Sequence, residues 1–100
     1  MNKFGLFTKF TTHEGQLESL VQMLLEAANG MEAIDSCDIY VVNISDSDPN
    51  CVWVTEIWSD PLAHQASLAL EETKVLVQKA RPLIAGIEQI KLNPLGGKGI

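Results

Sequence analysis

Basic side chains are scarce in this sequence. Seven Lys and Arg stand against thirteen Asp and Glu, a formal charge of −6 at pH 7. The seven are scattered, so no basic face is available to neutralise phosphates, which argues against nucleic acid and anionic membranes as partners. Long apolar runs are missing too. No stretch approaches the roughly 20 residues of a membrane span, and no secretory signal pattern opens the chain. A cytoplasmic location is expected.

Cysteine is equally sparse, with only Cys37 and Cys51. Both fall near the starts of neighbouring strands. If those strands form a hairpin, Cys51 pairs near Ser45, about eight residues from Cys37. At about 3.3 Å per residue the gap exceeds ~20 Å, against the ~4.4–6.8 Å that a disulfide spans. Two reduced thiols are expected. No CxxC occurs, and His13 and His64 are the only histidines, so no zinc spacing exists and no metal is expected. The D-x-D turn at Asp46 and Asp48 lacks the twelve-residue loop and terminal Glu of a calcium-binding EF-hand.

What is present is a single domain over residues 1–100, with 46% hydrophobic residues. A chain this short buries only about 60–65% of its unfolded surface, so a second subunit is a natural way to cover the rest. The organising stretch is residues 51–67, CVWVTEIWSDPLAHQAS. Residues 51–58 are a run of mainly β-branched and aromatic residues with only Glu56 charged, which is strand chemistry. Asp60 suits a helix N-cap and Pro61 the first helical position. The strand period of two puts Glu56 and Trp58 on one face, and His64 falls one turn into the helix. A carboxylate, an indole and an imidazole therefore leave one strand–helix corner together.

Residues 3–11 alternate around Phe4, Leu6, Thr8 and Phe10 and predict the first strand. Thr11 and Glu14 have capping-box spacing for a helix, carried by Leu17, Leu20, Val21, Leu24 and Ala28 and ended at Asn29-Gly30 by a left-handed glycine. Residues 37–44 predict a second strand, joined to the third by a polar turn containing Pro49. A helix is expected over residues 61–70, continuing or restarting through residue 80. It is broken at Arg81-Pro82 and followed by a last strand at residues 87–92 and a flexible tail at 93–100. The order βαββαβ predicts an α+β, ferredoxin-like split βαβ sandwich. Helices cover one face of its antiparallel sheet. The third strand is apolar on both faces, with Val52, Val54 and Trp58 on one and Trp53 and Ile57 on the other. A sheet wetted on one side alternates instead, so a second copy packed sheet to sheet is expected, with Trp53 at that interface.

The stretch EIWSDPLAHQAS resembles the E-x-W…H-x-x-S signature of the antibiotic biosynthesis monooxygenase superfamily, and the acidic turn, Pro82 and last strand fit its layout. The resemblance implies a dimeric α+β barrel and oxidation of a small quinol or polyphenolic, polyketide-like aromatic by O2. It implies no metal or flavin, so no cofactor is expected. The carried-over positions are Glu56, Trp58, His64 and Ser67. His64, with an ordinary pKa of about 6.5, suits a base that takes a phenolic proton. Glu56 would orient it or act as a second proton acceptor, Trp58 would wall the substrate, Ser67 would contact it from the helix, and Tyr40 and Asn43 are candidate substrate contacts from the second strand. Each residue also has a structural reading: Glu56 as a paired buried carboxylate, Trp58 as core, His64 bonded to Glu56 or Asp60. Two other functions stay open, a non-catalytic dimer that binds a hydrophobic small molecule, and a haem-degrading relative.

Overall fold

The computed structural model describes residues 3–100. In chain order the elements are β1 (Phe4–Thr12), α1 (Leu17–Met31), β2 (Cys37–Ser45), β3 (Asp48–Trp58), α2 (Pro61–Leu68), α3 (Glu71–Ala80) and β4 (Ile84–Leu92), with a 3-10 turn at Arg81–Leu83. The strands form one antiparallel sheet in the order β2-β3-β1-β4. This is the ferredoxin-like α+β arrangement that the element order predicts.

The core lies between the sheet and the helices. Leu20 and Leu24 of α1 pack with Val52 and Val54 of β3 and with Ala80 at the end of α3. Burying a leucine such as Leu20 is worth about 1.5–3 kcal/mol. Along β3 the strand period sends Val52, Val54, Glu56 and Trp58 under the helices, where all four are buried, while Trp53, Thr55 and Ile57 stay half-exposed on the other face. Among the described residues no helix covers that second face.

Several boundaries differ from expectation for identifiable reasons. The Thr11–Glu14 capping box does not form. Thr11 pairs with both Cys51 and Gly86, and the Thr12 hydroxyl donates to the Asn50 carbonyl at 3.1 Å. Both threonines are held in the sheet, the chain turns at Gly15 in a left-handed conformation (φ 82°), and α1 starts behind Gln16 with no side-chain cap. Gly30 does not end α1 either. The helix continues through it to Met31, and the Glu32 N–H donates to the Asn29 carbonyl without a left-handed residue. β3 begins at Asp48 because the hairpin turn is tight, with Ser45 opposite Asp48. Pro49 falls at the accompanying register shift, where no ladder N–H is demanded of it. β4 starts three residues early because a second shift lets Thr12 pair with Ile84.

Residues 93–100 form no helix or strand, yet Pro94 rests on the uncovered sheet face against Gly5. A Cβ at Gly5 would lie 3.2 Å from the Pro94 ring and 3.3 Å from Leu92, so a larger residue would have to push the tail back by a few tenths of an ångström. Cys37 and Cys51 are both free thiols.

Candidate active site

The strand–helix corner forms as the sequence predicts. Asp60 caps α2 by accepting the Ala63 N–H at 2.7 Å, and Pro61 opens the helix. This fixes His64 over the end of β3, with its ring 5.6 Å from Trp58 in an edge-on arrangement and 5.3 Å from Phe4. Below it, the Trp58 indole N–H donates to Glu56 Oε1 at 3.0 Å. His64 Nε2 lies 3.9 Å from the same oxygen, close enough for attraction but too far for a hydrogen bond.

Between helices and sheet lies a cavity of about 1050 Å³. Leu6, Thr8, Tyr40 and Glu56 form part of its floor, His64 and Ser67 look in from α2, Leu20 and Leu24 from α1, and Gln89 and Lys91 from β4. Four of the six sequence-predicted residues thus line one space: Glu56, His64, Tyr40 and Ser67. Trp58 does not line it. The indole is wholly buried and its one donor is spent on Glu56, so it supports the carboxylate from behind the wall. Asn43 is on the opposite sheet face, across from Trp53, whose carbonyl its amide reaches at 3.4 Å. Tyr40 and Asn43 are an odd number of residues apart, so one strand cannot aim both into one pocket. Ser67 is buried and donates its hydroxyl to the His64 carbonyl at 2.6 Å, which leaves only its lone pairs for a ligand.

Burial dominates the electrostatics. It pushes the Glu56 carboxyl up, while the indole hydrogen bond opposes the shift only in part. Burial also lowers the His64 imidazole below its ordinary value, and the Lys91 ammonium adds to this. Burial, followed by the charge of Glu56, raises the Tyr40 phenol. The same order of causes, joined by Asp38, raises the Cys37 thiol to about 11. At neutral pH the imidazole is therefore uncharged and free to take a proton, and Tyr40 is a neutral hydroxyl.

Sequence reasoning did not reach Lys91, Gln89 or Thr8 as parts of this site. Lys91 and Gln89 arrive only through the β1–β4 register, which sets them beside Leu6 and Thr8. Thr8 had a visible signal, a lone hydroxyl in the core-facing series Phe4, Leu6, Thr8, Phe10. Among the described residues no group of three His, Cys, Asp or Glu is placed to hold a metal, and no helix is long and apolar enough to cross a membrane.

No curated protein matches the chain. The crystal structure of a proposed antibiotic biosynthesis monooxygenase from Chloroflexus aurantiacus J-10-fl superposes with a TM-score of 0.89 at 37% identity, covering 98% of each chain. Two further proposed members share the fold at low identity. One from Bacteroides thetaiotaomicron has a TM-score of 0.88 at 18% identity, over 97% of this chain and 93% of its own. One from Deinococcus radiodurans has 0.83 at 19%, over 97% of both. The family model described as antibiotic biosynthesis monooxygenase matches residues 4–79, from the start of β1 almost to the end of α3. The chain belongs to the antibiotic biosynthesis monooxygenase family.

Proposed function

We propose that the protein is a monooxygenase that oxidises a small quinol or polyphenolic aromatic with O2, and that it needs no resident cofactor to do so. The observation that carries this reading is an uncharged imidazole, held over a buried carboxylate, facing a mostly apolar cavity large enough for a fused aromatic ring system. Triplet O2 reacts slowly with closed-shell molecules but accepts an electron from an electron-rich phenolate. His64 takes the phenolic proton. The phenolate passes one electron to O2, and the resulting radical pair joins in a carbon–oxygen bond. The imidazolium returns its proton to the peroxide, whose O–O bond then breaks as the ring carbon loses its hydrogen. One oxygen stays on the ring as a quinone carbonyl and the other leaves as water.

Glu56, braced by Trp58, supplies negative charge beside His64 as the imidazolium forms. Lys91, whose charge already reaches the imidazole, favours the anionic substrate. The active unit of this reading is a homodimer joined through the uncovered sheet faces. Val41, Ile90 and Leu92 are about half exposed there, beside half-buried Phe7, Trp53 and Ile57, an apolar area of the kind that marks an interface. The two free thiols suit a reducing, cytoplasmic setting.

O2 consumption over a panel of naphthalene diols and anthrols, compared between parent and His64→Ala, tests the reading. Turnover that falls about 10²–10⁴-fold in the variant supports a general base. Saturable binding without O2 uptake would make the protein a binding module instead.

A further inference from the structure

Thr8 is 1% exposed, and among the described residues its hydroxyl has no hydrogen-bond partner. A buried hydroxyl with nothing to bond to is destabilising, and native proteins rarely keep one without a use for it. Its immediate surroundings are apolar: Val54 is opposite on β3, and Leu6 and Phe10 flank it on the same face. Gln89 is opposite on β4, but its amide makes no bond to the hydroxyl. Thr8 also lines the large cavity, together with Glu56 and His64. Leu6 is the direct neighbour of Glu56, so Thr8 stands one diagonal step from that carboxylate on the same face, about 7–8 Å between backbones. Thr8 and His64 line the same cavity, so one ligand held there can present an oxygen to each.

We infer that Thr8 is a specificity-determining residue, whose hydroxyl bonds a second oxygen of the ligand while the first faces His64. The inference deepens the proposed function, on whose cavity and ligand orientation it rests. It names the residue that would select the quinols and polyphenols of that reading over aromatics with a single oxygen. In the complex the hydroxyl gains a partner, and a ligand without the second oxygen offers it none.

Anaerobic equilibrium binding, followed by quenching of tryptophan fluorescence, tests this independently of turnover. The probes are 1,4-dihydroxynaphthalene and 1-naphthol, which differ only in the second hydroxyl. The parent should bind the diol about tenfold more tightly. Thr8→Val should abolish that preference while leaving 1-naphthol binding in place, and Thr8→Ser should restore it. Without ligand, Thr8→Val should melt no lower than the parent, because no bond is lost. A parent without preference for the diol, a Thr8→Val protein that keeps the preference, or one that melts several degrees lower in the empty state would each overturn the inference. If the binding pattern holds and no O2 is consumed, the proposed oxidation fails while the assignment of Thr8 stands.

Discussion

The two faces of this sheet are made from the same strands yet obey different rules. Under the helices, β3 carries Val52, Val54, Glu56 and Trp58, all buried, and the one charged group among these four is bonded to an indole. On the uncovered face the same strand carries Trp53, Thr55 and Ile57, half-exposed, with the Lys9 ammonium 5.8 Å over the Trp53 ring. The covered face is a finished core with a cavity left in it. The other is an apolar surface that nothing else among the described residues finishes, beyond the tail that Pro94 lays against Gly5. Two tryptophans five residues apart on one strand thus have different jobs. Trp58 holds the fold and its carboxylate together. Trp53 is kept for a surface.

The sharpest way to break that comparison is to truncate the two indoles. Trp58→Ala removes the largest fully buried side chain and strands the Glu56 carboxylate without its donor. A loss of about 3–5 kcal/mol in denaturant unfolding is expected. Trp53→Asp should leave the melting of the isolated fold nearly unchanged and instead convert the proposed dimer, followed by sedimentation, into an 11.0 kDa monomer. Equal destabilisation by both changes would mean that the faces do not differ.

A smaller effect separates the acceptor role of Glu56 from its charge. Glu56→Ala leaves the buried indole N–H unpaired and should cost about 1–3 kcal/mol, apart from any packing loss. Glu56→Gln keeps a carbonyl for the indole and removes the buried carboxylate. The folded carboxyl titrates above its unfolded value. Its contribution is therefore present at pH below about 4.5 and lost as pH rises through the raised folded value. The parent should lose stability relative to Glu56→Gln over that window, as urea midpoints at stepped pH will record. The opposite drift would show that the carboxylate is better stabilised folded than unfolded.

These contrasts also explain what was legible beforehand. The strand–helix corner was readable because its signals are local: an N-cap, a proline and a period of two fix Glu56, Trp58 and His64 within nine residues. The fold followed from element order, and the apolar character of both faces of β3 was visible in residues 52–58. The boundaries of α1 were not readable, because Thr11 and Gly30 carry local cap signals that tertiary pairing and helix continuation overrule. The pairing of Trp58 with Glu56 needed rotamers, which no pattern gives. Lys91 needed register: only when β4 is laid beside β1 does a lysine 27 residues beyond His64 share its field.

That lysine supplies the smallest and most discriminating test of the corner. His64 titrates below its ordinary value, first because it is buried and second because the Lys91 ammonium repels the protonated ring. Lys91→Gln removes the repulsion and keeps the burial. The imidazole pKa should rise yet remain below about 6.5, and NMR titration of the ligand-free protein reads it directly. Two consequences share this sign. Activity that needs a neutral imidazole grows with pH through the His64 pKa, so the acid limb of the rate profile should move to higher pH. Stability is fully present above the unfolded pKa and is lost as pH falls towards the lower folded one, so Lys91→Gln should lose less of it on acidification. High salt should shrink the difference between parent and variant, because an exposed ammonium is screened. If the His64 titration does not move in Lys91→Gln, the lysine's charge does not reach the ring, and burial alone sets the base.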